Sequence, residues 1–197
     1  ELLVRNRVEA RALLWCQVYG YILREGLYGV NADLKRLSDD DLRCASLSMV
    51  KAKRIPHIRG CEEEAVRLAE RWGADAGLAR RAGILHDCTK YLELDEQLAL
   101  CDRYGIALDE LERVAVKLLH AKTGAAIARH VFGEPEAVCM AIYWHTTGKA
   151  DMDLLSKELD AALLLGCELT IEDMEERGMP VHTNTLQARD NLKGRNR

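Results

Sequence analysis

An all-α fold is what this sequence predicts, and three observations carry the prediction. Leu, Ala, Glu and Arg are abundant, while 197 residues hold only three prolines and one phenylalanine, a balance that favours helix. No sustained run of alternating β-branched residues and no Asn-Gly turn marks a strand or hairpin. Apolar residues instead recur at helical spacing, as Ala65, Val66, Leu68, Ala69 and Trp72 do.

Residues 1–29 end in a stripe of Val18, Ile22 and Leu23, which predicts a first helix. The polar connection NADLKRLSDDDL leads to Ser38, an N-cap for a helix opening on three aspartates. Residues 1–41 therefore read as an N-terminal tail and linker, and 42–197 as the folded domain. CEEEAVRLAERWG predicts a helix stopped by Gly73. A second, over 76–88, carries Leu78, Ala82, Leu85 and, near its C-terminal end, His86 and Asp87. Further helices are expected over 94–104, 108–118, 120–132, 135–145, 153–166 and 185–193, punctuated by Gly105, Gly133 and Gly148.

The net charge of −4 argues against a nucleic-acid partner, which would call for a basic face, yet leaves room for a small phosphorylated ligand. Seven scattered cysteines without a C-x-x-C pair give neither a disulfide framework nor a thiolate zinc site, and suit a reducing cytoplasm. No stretch approaches the roughly 18–20 apolar residues of a membrane span. The opening ELLVRNRVEARALL is too charged for a signal peptide.

Four of the six histidines have distinctive neighbours: His57 in KRIPHIRG, His86 before Asp87 in GILHDCTK, His120 in KLLHAKTGAA and His145 in AIYWHTTGK. Each follows apolar residues and precedes small or phosphate-compatible ones. Singly, each is more often a structural residue. Together, four imidazoles and a carboxylate from separate helices would form a nitrogen- and oxygen-rich site suited to iron, manganese or zinc. Lys90 is either a helix-end cation or a phosphate contact, and Thr146, Thr147 and Gly148 either end a helix or donate to phosphate. His130 and His182 read as structural.

The order His57…His86-Asp87…Lys90, LLHAKTGA and HTTGKADMDLLSK resembles the HD-domain metallophosphohydrolase superfamily. Within it the chain is similar to the YqeK-type symmetrical diadenosine-tetraphosphate hydrolases, over about residues 50–157, with MPVHTNTLQARDNLKG similar to their last helix. The resemblance implies an HD-domain helical bundle and a centre of two metal ions, iron first, with manganese or zinc as alternatives. The metal ligands it implies are His57, His86, Asp87, His120 and His145. Asp87 and Lys90 would carry the catalysis. Lys90, Thr146, Thr147 and Gly148 would hold substrate phosphates, with Arg54 and Lys157 further out. The tetraphosphate would be cut at its middle to give two ADP, and a homodimer fits the same picture.

Alarmone hydrolases fit less well, since Cys88, Thr89 and Lys90 replace their acidic residues. Cyclic-dinucleotide phosphodiesterases need a Gly-Tyr-Pro signature that this sequence lacks. Two departures are expected to matter. A further metal-binding Asp should follow DLLSK, where Lys157 runs directly into ELDAALLLG; Asp160 is the carboxylate on hand and is not taken as a ligand. VYGYILREGLYG resembles the end of a nicotinate-nucleotide adenylyltransferase, although no nucleotidyltransferase motif is present. Both suggest parts of a longer chain, with breaks expected near Lys157–Glu158 and Leu14–Gln17. The competing readings are a nucleotide-binding, catalytically impaired HD module attached to an adenylyltransferase, and a purely structural helical domain.

Overall fold

Ser38 accepts the Asp41 N–H at 3.3 Å and starts a helix with Asp39, Asp40 and Asp41 in its first turn, where the macrodipole favours negative charge. The computed structural model describes residues 2–110, 112–114 and 116–147. All regular structure among them is helical: α1 Leu2–Arg5, α2 Arg7–Leu13, α3 Cys16–Glu25, α4 Asp39–Leu47, α5 Ile55–Trp72, α6 Ala76–Leu85, α7 Leu94–Tyr104, α8 Val116–His130 and α9 Glu136–Trp144.

Helix α5 lies along α6 and α8 along α9, while α6 meets both α9 and α4. Their shared core includes Leu42, Ala65, Leu85, Phe132, Cys139 and Ile142. At Gly83 the helices α5 and α6 come so near that a Cβ would stand 2.8 Å from Glu62 Cα. Only glycine permits that approach. Ser46 Oγ donates to the Ile84 carbonyl at 2.6 Å, tying α4 to α6. Forked ion pairs add two further ties, Arg43 of α4 to Glu62 of α5 and Arg81 of α6 to Glu134 between α8 and α9.

Helix α3 docks on α4 through a smaller core of Tyr19, Ile22, Leu23, Val30 and Cys44. Here the fold corrects the cysteine reading: Cys16 and Cys44 form a disulfide. Their separation of 28 residues matches no local motif, and only the packing of α3 on α4 brings them together. Leu14 and Trp15 join α2 to α3 as two extended residues.

Gly73 and Gly105 end α5 and α7 with φ of 83° and 64°, as predicted. Trp72 leaves its predicted apolar face and is 56% exposed. Of the helix expected over 108–118, the described residues 108–110 and 112–114 lie outside any helix. Asp109 and Glu112 each accept the other's backbone N–H, at 2.8 and 3.0 Å, the reciprocal pattern of a capping box. Helix α8 then runs unbroken past the boundary expected at 118–120, because neither Gly nor Pro interrupts residues 116–123. His130 stacks on Tyr104, with ring centroids 4.6 Å apart, consistent with a structural role. The helices expected over 153–166 and 185–193, His182, and the Lys157–Glu158 junction lie outside the described residues.

Candidate metal centre

Four helices deliver four imidazoles to one carboxylate. His57 lies in the first turn of α5, His86 caps the end of α6, His120 sits inside α8 and His145 caps the end of α9. Asp87 follows His86 and lies two residues past Leu85, where α6 ends, rather than inside a helix running to residue 88. His86, Asp87 and His120 are each only 1% exposed.

The two oxygens of Asp87 face different pairs of rings. Oδ2 lies 3.7 Å from His57 Nε2 and 3.5 Å from His86 Nε2, which are 3.1 Å apart. Oδ1 lies 3.3 Å from His120 Nε2 and 3.9 Å from His145 Nε2, which are 3.0 Å apart. Asp87 Oδ1 is fully buried and makes no hydrogen bond, a costly state for a carboxylate oxygen.

Protons on these rings can be assigned from their partners. Nδ1 of His86, His120 and His145 lies 2.7, 2.6 and 2.6 Å from the carbonyls of Gly83, Lys117 and Ile142. A carbonyl only accepts, so each Nδ1 carries the proton. That leaves the Nε2 lone pairs of neutral His120 and His145 facing each other and Asp87 Oδ1. Arg54 Nη2 donates to His57 Nε2 at 2.9 Å, and Lys90 Nζ donates to His120 Nε2 at 3.0 Å. In these last two contacts an imidazole lone pair faces a cationic side chain.

Burial holds His57 down to about 4 and also lowers His120 and, strongly, His145. Burial opposes charge on His86 too, yet the adjacent Asp87 outweighs it and raises that imidazole to about 10. Asp87 itself is held far below the usual carboxylate range: its burial works upward, but His86, His120 and Lys90 prevail.

These donors fit a pair of cations. Two ring nitrogens bound to one ion at about 2.0–2.1 Å lie roughly 3 Å apart, and the pairs here are 3.1 and 3.0 Å apart. The grouping extends beyond the expected ligands: Cys61 joins His57 and His86, while Asp87, His120 and His145 form the second set.

Among the expected phosphate contacts, Lys90 reaches into the cluster, and Thr146 and Thr147 directly follow His145, partly buried. Arg54 is not further out as the resemblance implied: its Nε donates to Asp87 Oδ2 at 2.5 Å. Gly148, Lys157 and Asp160 lie outside the described residues. Sequence reasoning missed the buried frame behind the site. Thr89 Oγ1 donates to the His120 carbonyl at 2.9 Å, Gln97 Nε2 donates to the Thr89 carbonyl at 2.7 Å, and Thr123 bonds Gln97 Oε1. Full burial of those three polar side chains was not visible in their local sequence.

Comparison with known proteins points the same way. The model of the HD domain family matches residues 54–178. Three curated relatives carry the name symmetrical bis(5'-nucleosyl)-tetraphosphatase. Those from Staphylococcus aureus and Halalkalibacterium halodurans are 36% and 38% identical, each over 53% of this chain and 54% and 56% of their own. That from Bacillus subtilis is 31% identical over 63% of this chain and 66% of its own. The chain thus spans about half the length of the first two. A solved structure from Clostridium acetobutylicum, described as a predicted HD superfamily hydrolase involved in NAD metabolism, is 30% identical. It superposes with a TM-score of 0.70 over 81% of this chain and 98% of that one.

Proposed function

Because the chain belongs to the HD-domain family, we propose that it is a metal-dependent phosphohydrolase that cuts dinucleoside tetraphosphates at the middle, turning diadenosine tetraphosphate and water into two ADP. One observation carries the metal dependence: each oxygen of buried Asp87 faces its own pair of imidazole nitrogens. The names of the curated relatives support the substrate.

In this reading His57, His86 and Asp87 Oδ2 hold one ion, and Asp87 Oδ1, His120 and His145 hold the other. The ions, iron first with manganese or zinc as alternatives, would supply an activated water and offset charge on the phosphoryl oxygens. The chain's own groups do the rest. Carbonyls of Gly83, Lys117 and Ile142 fix the ring tautomers. Lys90 turns from His120 to a phosphate oxygen beside the centre, and Thr146 and Thr147 donate to the next phosphate. Gly148 and Lys157, outside the described residues, are assigned phosphate contacts from the resemblance alone, and Arg54 leaves Asp87 to take an outer phosphate. Water's oxygen joins one inner phosphorus as its bond to the central bridging oxygen breaks. The departing ADP is a stable anion that needs little proton donation.

Residues 1–41 as a tail and 42–197 as the HD domain belong to the same proposal. So does a small nucleotide as the partner, rather than nucleic acid or membrane. Among the described residues no helix is long and apolar enough to cross a membrane. A cytoplasmic setting is proposed from the cysteine pattern; the Cys16–Cys44 disulfide pulls the other way, and thiol titration of freshly lysed cells decides between them. Chromatography of the products tests the reaction itself. Two ADP support the proposal, ATP plus AMP overturns the symmetrical cut, and binding without hydrolysis leaves an impaired nucleotide-binding module.

A further inference from the structure

Cys61 lies one helical turn after His57 on α5, so both side chains project from the same face. Its Sγ is 3.4 Å from His57 Nε2 and 3.9 Å from Nδ1. Cys61, His57 and His86 offer three potential ligand atoms that all lie within 4.8 Å of one another. Four described cysteines are unbridged and buried: Cys61, Cys88, Cys101 and Cys139. Of these, Cys61 is the one grouped with the imidazoles. The orphaned Asp87 Oδ1 independently marks the cluster as a place built for a cation.

We propose that Cys61 is an additional ligand of the ion held by His57 and His86. The two halves of the centre are then chemically unequal. One offers sulfur, two ring nitrogens and Asp87 Oδ2; the other offers two ring nitrogens and Asp87 Oδ1. Sulfur is a soft donor, so the first half favours zinc, cobalt or ferrous iron over manganese. Coordination takes the proton from the thiol and releases it to solvent. This inference rests on the proposed metal centre.

Cobalt reconstitution of the full chain tests it. Elemental analysis counts bound cobalt, visible d–d absorption reports its coordination, and a near-ultraviolet thiolate-to-cobalt charge-transfer band reports sulfur. The wild-type protein should show that band. Cys61→Ser should lose it while still binding cobalt, and Cys101→Ser should keep it. Cys61→Val, which preserves apolar packing should serine fail to fold, should lose it as well. In competition, Cys61→Val should also narrow the preference for zinc over manganese. Cobalt bound by wild type without the band, or a band surviving in Cys61→Val, overturns the role of Cys61 and leaves the metal centre standing. Wild type that binds no cobalt overturns both.

Discussion

Arg54 Nε donates to Asp87 Oδ2 at 2.5 Å while Nη2 of the same guanidinium reaches His57 Nε2 at 2.9 Å. One cationic side chain thus satisfies two of the groups assigned to a metal ion. Arg54→Ala should cost the metal-depleted protein about 1–3 kcal/mol, the scale of leaving a buried charged acceptor unpaired. The loss should shrink once metal is restored. Urea denaturation with and without chelator measures both, and an equal cost in the two states would contradict the shared role.

Asp87→Asn keeps the shape of the side chain and removes its charge. An amide between two imidazole pairs cannot neutralise two cations. Metal content after dialysis should fall below detection, and ADP release should drop by at least about 10²-fold, the scale of losing one preorganised charge-stabilising group. Elemental analysis beside product chromatography reads both. A variant that retains its full metal complement would refute the bridging position of Asp87.

The metal-depleted protein should be most stable close to pH 6.5. Unfolded imidazoles take up a proton near 6.5, but folded His57 resists until about 4, and burial lowers His120 and His145 as well. Stability therefore falls as pH drops through that window. His86 has the opposite sign. Raised to about 10 beside Asp87, it contributes fully below 6.5 and loses that contribution as pH climbs toward 10. Denaturation midpoints measured in chelator across this range should peak near the middle; a midpoint still rising from pH 6.5 down to 4 would contradict the buried neutral rings.

Gly83→Ala tests how the backbone sets the site. Its new Cβ would stand 2.8 Å from Glu62 Cα, backbone that cannot swing aside. Parting α5 from α6 should cost about 1–3 kcal/mol, as overpacking does. It should also weaken metal retention, because those helices carry His57 and His86, whose Nε2 atoms are 3.1 Å apart. A thermal melt paired with metal analysis reads the two effects together.

Much of this was legible from the residues. Ser38, Gly73 and Gly105 act through local backbone chemistry, so their helix ends were readable. His57, His86, Asp87, His120 and His145 stood out by their neighbours, and the fold gathers all five. Long-range relations were not legible. Cys16 meets Cys44, and Cys61 meets His86, only through helix packing. Arg54 looked like an outlying phosphate contact because its distance to Asp87 depends on how α5 approaches α6.

Helices α6 and α9 each stop at a histidine whose ring reaches back to the carbonyl three residues earlier, on Gly83 and Ile142. His120, in the interior of α8, makes the same reach to the Lys117 carbonyl. A carbonyl oxygen has two lone pairs, so it can hold the ring and a peptide N–H at once, as Ile142 does with His145. Helix register is therefore a chemical trait in this protein: the carbonyl three residues upstream decides which edge of each ring is basic.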